Sequence, residues 1–228
     1  MFVLNYNSNK KMSEIFIYGE KEIDYLKKAD PALSVIIDEI GLIERSVIPD
    51  LFTSLVNSIV GQQISTKAAD TVWGRVMEKF GVISPETFHN APLDEIQQCG
   101  MSMRKANYIK DTATKLFSGE FNIEGLYALS DEEVIKKLCE LHGIGVWTAE
   151  MTLIFCMQRP NVMSWGDLGI QRGLRMLHRH KKIDKKLFQK YKCLYSPYAS
   201  VASLYLWEIG GGASNLEDPA SKPVNKIK

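Results

Sequence analysis

Two glycines separated by one apolar residue are the feature of this sequence that most directly suggests chemistry. Gly143 and Gly145 flank Ile144, and a helix is predicted to open at Val146. Glycine has no Cβ, so the backbone here can turn sharply and pass close to another molecule. The first amides of the following helix lack an intrahelical acceptor and favour an anion. We therefore expect a phosphate-binding site that does not depend on base sequence, and DNA is the first partner to consider.

An aspartate follows this turn at a distance of about twenty residues. Asp167 stands directly before an apolar helical pattern that runs from Leu168 to Leu177. Aspartate is a favoured N-cap, so its spacing alone favours the interpretation that it starts this helix. A carboxylate can also stabilise a developing positive charge, and one residue can fill both roles.

Apolar spacing predicts helices along almost the whole chain. Residues 33–40 and 51–60 carry apolar side chains at three- and four-residue intervals. A third helix is expected from Ser65 to Phe80, and Ser130 begins a capping box ahead of the glycine turn. Only residues 15–18 suggest a strand. The sequence therefore predicts an all-α fold.

The overall net charge of +1 conceals a strong segregation of charge along the chain. Residues 14–50 carry nine acids against four bases, whereas residues 171–192 carry nine Lys or Arg against one Asp. The basic run follows Asp167 directly, so a positive face is expected beside it. A solvated helical surface is the alternative explanation, but the position of the run favours a phosphate contact.

Cysteine usage and hydropathy limit the class of protein further. The four cysteines are widely scattered and form no C-x-x-C pair, which argues against a disulfide framework or a zinc site. No apolar run approaches the length of a membrane span, and the amino terminus is too polar for a secretory signal. We expect an intracellular protein without membrane contact, cytoplasmic in a prokaryote or nuclear in a eukaryote.

Three blocks of this sequence stand in a recognisable order. The first is the turn with its flanks, Leu141–Ala149, the second runs from Phe52 to Ala69, and the third from Tyr198 to Trp207. Together with the correctly spaced Asp167, they resemble the helix-hairpin-helix (HhH-GPD) superfamily of DNA glycosylases. Within it the chain is most similar to the alkylation-repair branch, 3-methyladenine DNA glycosylase II.

The resemblance extends over about residues 20–212 and implies a domain organisation. Two helical subdomains would enclose a DNA-binding cleft with the helix-hairpin-helix motif, and Asp167 would lie at its mouth. The expected divisions are an amino-terminal extension 1–19, a middle subdomain 51–158 that includes the hairpin, a flanking subdomain from 20–50 and 159–212, and a loose tail 213–228.

The resemblance also implies the chemistry. Asp167 would be the catalytic aspartate, stabilising an oxocarbenium-like sugar while the N-glycosidic bond breaks. Superfamily members that also cut the DNA backbone carry a lysine at the position of Trp147, where it forms a Schiff base with the sugar. Tryptophan cannot form one, so we expect a monofunctional glycosylase.

Four residues are expected to bind the damaged base. The indole faces of Trp147 and Trp207 suit a cationic alkylated purine, with ordinary core packing as the alternative role for each. Met151 and Leu168 stand at positions that are aromatic in some relatives. Fewer rings hold a base less firmly, so the resemblance leaves the lesion range open.

The loop after the second predicted helix matches the segment that fills the gap left by a flipped nucleotide. Gln63 falls on the wedge position with Ile64 beside it, and Gln62 can hydrogen-bond base edges in the minor groove. A plain polar connection between helices is the alternative. Gly143, Gly145 and Thr148 are expected to contact the DNA backbone.

No side chain is expected to bind a metal, and no cofactor is expected. In relatives the hairpin holds a monovalent cation through its backbone carbonyls, so the resemblance implies a structural Na⁺ or K⁺ near Leu141 and Gly143. Such an ion would bridge the protein to a phosphate.

The leading hypothesis is a monomeric enzyme that releases alkylated purines, such as 3-methyladenine and 7-methylguanine, from double-stranded DNA during base excision repair. One alternative is a DNA-binding module that keeps the hairpin without catalysis, but such a module has no need of Asp167, Trp147 and Trp207 together. A glycosylase for oxidised or deaminated bases is a second alternative.

Overall fold

The computed structural model describes residues 14–220; residues 1–13 of the expected amino-terminal extension and 221–228 of the expected tail lie outside the described residues. The described chain folds into α-helices, with one 3₁₀ turn at Glu124–Ala128. In chain order the helices are α1 (Glu20–Ala29), α2 (Pro31–Ile40), α3 (Leu51–Gly61), α4 (Thr66–Phe80), α5 (Pro85–Asn90), α6 (Leu93–Gln98), α7 (Met103–Phe117), α8 (Asp131–Leu138), α9 (Val146–Phe155), α10 (Leu168–His178), α11 (Lys185–Tyr195) and α12 (Ala199–Gly211).

The all-α prediction is confirmed. Within residues 14–220 the suggested strand at 15–18 is reduced to one isolated antiparallel bridge between Ile15 and Ser46. No helix in this part of the chain is both long and apolar enough to cross a membrane.

The capping residues that the sequence predicted lie at the starts of α4 and α8 in the structure. Ser65 accepts a hydrogen bond from the Ala68 amide and starts α4, which ends at Gly81 with φ +64°. Ser130 and Glu133 form the expected reciprocal capping box at the start of α8. Local sequence therefore fixes where these helices begin and end.

The described residues form two compact units. We call residues 14–16 and 45–159 the hairpin unit, and residues 17–44 and 160–220 the aspartate unit. Residues 45–50, expected in the flanking subdomain, pack in the hairpin unit because the Ile48 amide donates to the Phe155 carbonyl at 2.9 Å. The boundary thus falls a few residues earlier than the resemblance implied.

Helix α3 forms the centre of the hairpin unit. Its apolar stripe, including Leu55, Val56 and Ile59, is fully buried. Helices α4, α7 and α9 all pack against it. Because α3 ends at the loop after Gly61, the core of this unit directly supports the loop that carries Gln62 and Gln63.

The aspartate unit is built on an unusually close approach of α10 and α12. A Cβ added to Gly173 would overlap the backbone carbonyl of Leu206, and one added to Gly210 would lie 2.5 Å from the carbonyl oxygen of Gly169. Only glycine permits backbones to lie this close. The crossing fixes the start of α10 against the carboxyl-terminal part of α12, where the candidate site lies.

A buried polar cluster joins other helices of this unit. One carboxylate oxygen of Asp30 caps α2, and the other accepts a hydrogen bond from the Tyr195 hydroxyl at 2.6 Å and lies 3.2 Å from His178 Nε2. Burial alone raises the pKa of Asp30, but the hydrogen bonds from His178 and Tyr195 outweigh it and lower the pKa overall. The cluster therefore holds an ionised carboxylate inside the unit.

The described part of the tail is held against α10 by Asp218. Asp218 accepts two hydrogen bonds from Arg175, at 2.8 and 3.1 Å, and its carboxylate lies 3.4 Å from Arg172. The segment expected to be loose from residue 213 therefore packs against α10 at this residue.

We predict that Gly173→Ala destabilises the protein by about 1–3 kcal/mol, because the added methyl group must push α10 and α12 apart. Gly74→Ala is the matched control: Gly74 is exposed in α4, and its Cβ would meet nothing within 4 Å. This control should stabilise the helix by about 1 kcal/mol. Urea unfolding measures both free energies, and equal values for the two variants would contradict the close helix contact.

Candidate active site and nucleic-acid interface

Asp167 is held in a defined orientation by two hydrogen bonds to the same carboxylate oxygen. Its Oδ1 accepts from the Ile170 backbone amide at 2.9 Å and from Trp207 Nε1 at 3.0 Å. The first bond makes Asp167 the N-cap of α10, as the sequence indicated, and the residue is only 8% exposed. Capping and a role in catalysis are compatible, since the cap itself orients the carboxylate.

Trp207 lies on α12 and is half-buried. It was expected to stack on the base, and the structure shows in addition that its indole N–H contacts Asp167. Gly169 makes room for this contact: a Cβ there would lie 3.0 Å from Trp207 Cδ1 and 3.1 Å from Asp167 Oδ1. The sequence pattern did not indicate this bond, because the two partners are forty residues apart.

Leu168 follows Asp167 at the first position of α10 and is 78% exposed. An apolar side chain this exposed, directly beside a nearly buried carboxylate, offers a surface that a ligand can cover. This position agrees with the expected base-binding role, which itself stays a prediction. The aspartate unit thus combines a fixed carboxylate, an indole and an exposed apolar side chain in one short stretch.

The two hairpin glycines have different physical roles. Gly143 has φ +84°, and a Cβ there would overlap the ring of Tyr108, so the fold itself requires glycine. Gly145 has φ −100° and ψ 173°, which any residue can adopt, and its Cβ would meet nothing within 4 Å. Only Gly145 therefore presents open space to a partner molecule.

The amino terminus of α9 has the features of an anion site. Gly145 is its N-cap, and no side chain caps the helix. The amides of its first turn have no acceptor within the helix. Thr148 was expected to contact DNA; the residue is only 5% exposed, so its backbone amide at the start of α9 is the group proposed to face a phosphate.

The two residues of α9 expected to bind the base differ in exposure. Trp147 is half-buried, whereas Met151 is buried. They stand one helical turn apart and therefore share a face of α9. Trp147 can offer part of its ring to a ligand, whereas Met151 belongs to the core of the hairpin unit.

The loop after α3 is organised differently from its prediction. Gln62 was expected to read base edges, but its Nε2 donates to the Gly143 carbonyl at 2.8 Å. Gln63 is exposed and has a left-handed backbone with φ +57°. Ile64 beside it is half-buried. The residue at the expected wedge position is therefore exposed to solvent, and its role in DNA stays a prediction.

The two carbonyl oxygens near which a monovalent cation was expected both accept hydrogen bonds within the protein. The Gly143 carbonyl accepts from Gln62, and the Leu141 carbonyl accepts from the Ile144 amide at 3.2 Å. A monovalent cation at either oxygen would share it with a hydrogen-bond donor. Among residues 14–220 no cluster of His, Cys, Asp or Glu could hold a metal ion.

Lys105 supports the carboxyl end of α3. Its Nζ donates to the carbonyls of Val60 at 2.9 Å and Gln62 at 2.7 Å. Burial lowers the pKa of this amine, and the charge of Arg104 lowers it further. The i, i+3 spacing of Lys105 and Tyr108, which places them on one face of α7, is the sequence signal that could have indicated a shared role.

The basic run is partly neutralised. Arg172 and Arg175 pair with Asp218, so they are not the main source of positive charge for a partner. Exposed bases without such a pairing to Asp218 lie further along, after α10 and on α11, and include Arg179, Lys181, Lys182, Lys185, Lys186 and Lys190.

Residues 56–196 match the family described as HhH-GPD superfamily base excision DNA repair protein. The chain is 34% identical over 182 residues to DNA-3-methyladenine glycosylase 1 of Schizosaccharomyces pombe, covering 78% of each chain. It is 31% identical to the DNA-3-methyladenine glycosylase of Saccharomyces cerevisiae, covering 90% of this chain and 83% of the relative.

Solved structures agree with these sequence relatives. The DNA-3-methyladenine glycosidase of Bacillus halodurans superimposes with a TM-score of 0.77 at 35% identity, over 88% of this chain and 94% of that chain. The 3-methyladenine DNA glycosylase of Schizosaccharomyces pombe in complex with abasic DNA gives 0.73 at 30% identity, over 83% and 96%. The protein belongs to the HhH-GPD superfamily of base excision DNA repair proteins.

Proposed function

We propose that this protein is a monofunctional DNA glycosylase that hydrolyses the N-glycosidic bond of alkylated purines, such as 3-methyladenine and 7-methylguanine, in duplex DNA. The observation that carries the proposal is the nearly buried Asp167 carboxylate, oriented by the Ile170 amide and the Trp207 indole. The names of the sequence relatives support 3-methyladenine as a substrate.

The chemistry follows from the fixed carboxylate. When the bond between C1′ and the base nitrogen breaks, the base leaves with the electron pair and the sugar becomes positively charged. Asp167 stabilises this charge and orients the water that adds to C1′. The water gives one proton to the Asp167 carboxylate, which passes it to solvent, and the products are the neutral free base and an abasic sugar. The orientation costs little at the moment of reaction, because both hydrogen bonds already exist in the folded protein.

With Trp147 in this position, the reaction ends at the abasic sugar and does not continue to strand cleavage. Its side chain has no amine, so it cannot form the Schiff base that precedes strand cleavage. A purine alkylated at N3 or N7 carries a positive charge, and the faces of Trp147 and Trp207 attract such a ring by stacking and cation–π interaction. Trp207 would then both orient the carboxylate and contact the substrate.

DNA binding is proposed for the hairpin unit, acting as a monomer. A phosphate would lie against Gly145 and the amino terminus of α9, where the structure offers open space and uncapped amides. Gln63 would enter the duplex as the nucleotide flips out. This assigns phosphate contact and base displacement to two neighbouring segments of one unit.

We predict that Asp167→Asn lowers base release from methylated duplex DNA by about 100-fold or more while DNA affinity is retained. Asparagine caps a helix as well as aspartate does, so the variant should stay folded. Single-turnover release of 3-methyladenine and 7-methylguanine measures the effect.

The matched control is Asp184→Asn, because Asp184 caps α11 through the same type of bond, from the Leu187 amide at 2.8 Å. This control should release base at the wild-type rate. Comparable turnover in Asp167→Asn and wild type would remove Asp167 from the reaction. Prompt strand cleavage by wild type, trapped with borohydride, would contradict a monofunctional enzyme.

We also predict that Gly145→Asp weakens binding to undamaged and abasic-analogue duplexes alike, by about tenfold or more, because it places a negative charge where the phosphate would lie. Aspartate at an N-cap stabilises a helix, so weaker binding could not be attributed to unfolding. Fluorescence anisotropy measures both affinities.

Gly19→Asp is the control for this variant. Gly19 is the N-cap of α1, has an extended backbone, and its Cβ would meet nothing within 4 Å. The same substitution there should leave DNA affinity unchanged. If Gly145→Asp binds both duplexes as tightly as wild type, the hairpin is a structural turn without a phosphate contact.

A further inference from the structure

We propose that Gln62 is a positioning residue that connects the wedge loop, residues 61–65, to the hairpin, residues 141–146. Because of this connection, binding of a phosphate and displacement of a base would occur together. The inference rests on the proposed function and goes beyond it, because it assigns Gln62 a task within the protein where a contact with base edges was expected. It is carried by a set of contacts that all lie in the hairpin unit.

The first contact is the hydrogen bond from Gln62 Nε2 to the Gly143 carbonyl, 2.8 Å long, between residues 81 positions apart. The direction of that carbonyl is fixed independently. Gly143 has a left-handed backbone and lies against the Tyr108 ring, so the hairpin presents this oxygen in one orientation. Gln62 therefore binds a rigid acceptor.

Helix α7 holds both partners of this bond. Lys105 donates from its Nζ to the carbonyls of Val60 and Gln62, at the carboxyl end of α3. Tyr108, one turn later on the same helix, supports Gly143. One face of α7 thus determines where the loop and the hairpin lie, and the Gln62 bond closes the connection between them.

These contacts hold the backbone on both sides of Gln63. This residue is exposed, and its φ of +57° is a conformation that residues other than glycine keep only when their surroundings hold them there. Gln62 on one side and the Ser65 cap of α4 on the other hold this loop at both ends. A phosphate bound at the hairpin would then set the position of Gln63 in the duplex.

The test uses Gln62→Met, which keeps the length of the side chain and removes its N–H donor. Gln98→Met is the matched control, because Gln98 is an exposed glutamine in the same unit. Hydrogen exchange of the protein without DNA should be at least about fivefold faster in both 61–65 and 141–146 for Gln62→Met, and unchanged for Gln98→Met.

A second variant separates the two halves of the connection. Lys105→Met removes the donor to the carbonyls of Val60 and Gln62, with the exposed neighbour Arg104→Met as its control. Exchange should become faster mainly in 61–65, since Tyr108 still supports the hairpin. Equal exchange in wild type and both Gln62→Met and Lys105→Met would overturn the proposed connection.

Base flipping is then measured with 2-aminopurine in a duplex, alongside affinity by anisotropy. Gln62→Met should bind undamaged duplex within about threefold of wild type but show about tenfold less flipping, whereas Gln98→Met should match wild type in both. Unchanged flipping in Gln62→Met would overturn the functional part of the inference. A wild-type protein that binds duplex without flipping any base would contradict the proposed function. Hydrogen exchange is measured without DNA and tests the connection between loop and hairpin by itself, so it separates a failure of the proposed function from a failure of this inference.

Discussion

The close packing of α10 on α12 is the constraint on which the candidate active site depends. At Gly173 and Gly210 the two backbones lie too close for any side chain, and this proximity brings the Trp207 indole to the Asp167 carboxylate. A carboxylate at the amino terminus of a helix is common, and by itself would only be a cap. The second donor, Trp207 Nε1 on α12, holds the Asp167 carboxylate in an orientation that capping alone does not require.

In the hairpin unit a glycine again permits a very close contact, here between the backbone and an aromatic ring. Gly143 permits the Tyr108 ring to lie directly on the backbone, and the resulting fixed carbonyl becomes the acceptor for Gln62. Gly145, two residues later, is unconstrained by the fold and leaves open space at the start of α9. One glycine therefore builds the hairpin and the other leaves it accessible, and this division explains why both occur in so short a segment.

Local signals in the sequence were sufficient for the helical fold. Ser65, Ser130 and Asp167 each lie at the helix start that their capping chemistry predicts, and the HhH-GPD resemblance is confirmed by the comparisons. Contacts between distant residues were not predictable from spacing, because they depend on how helices pack. The engagement of Gln62 with Gly143 and the pairing of Asp218 with Arg175 are of this kind. The roles of the site residues in binding and catalysis stay predictions.

The account depends most on the claim that Asp167 stabilises a positively charged sugar. A duplex with a protonated pyrrolidine ring in place of the sugar imitates that charge, and a duplex with a tetrahydrofuran ring keeps the shape without it. The most direct test is the ratio of the two dissociation constants for wild type and Asp167→Asn. Wild type should bind the cationic duplex about a hundredfold more tightly than the neutral one, and Asp167→Asn should lose most of this preference. Equal affinity of the wild-type protein for both duplexes would contradict the account.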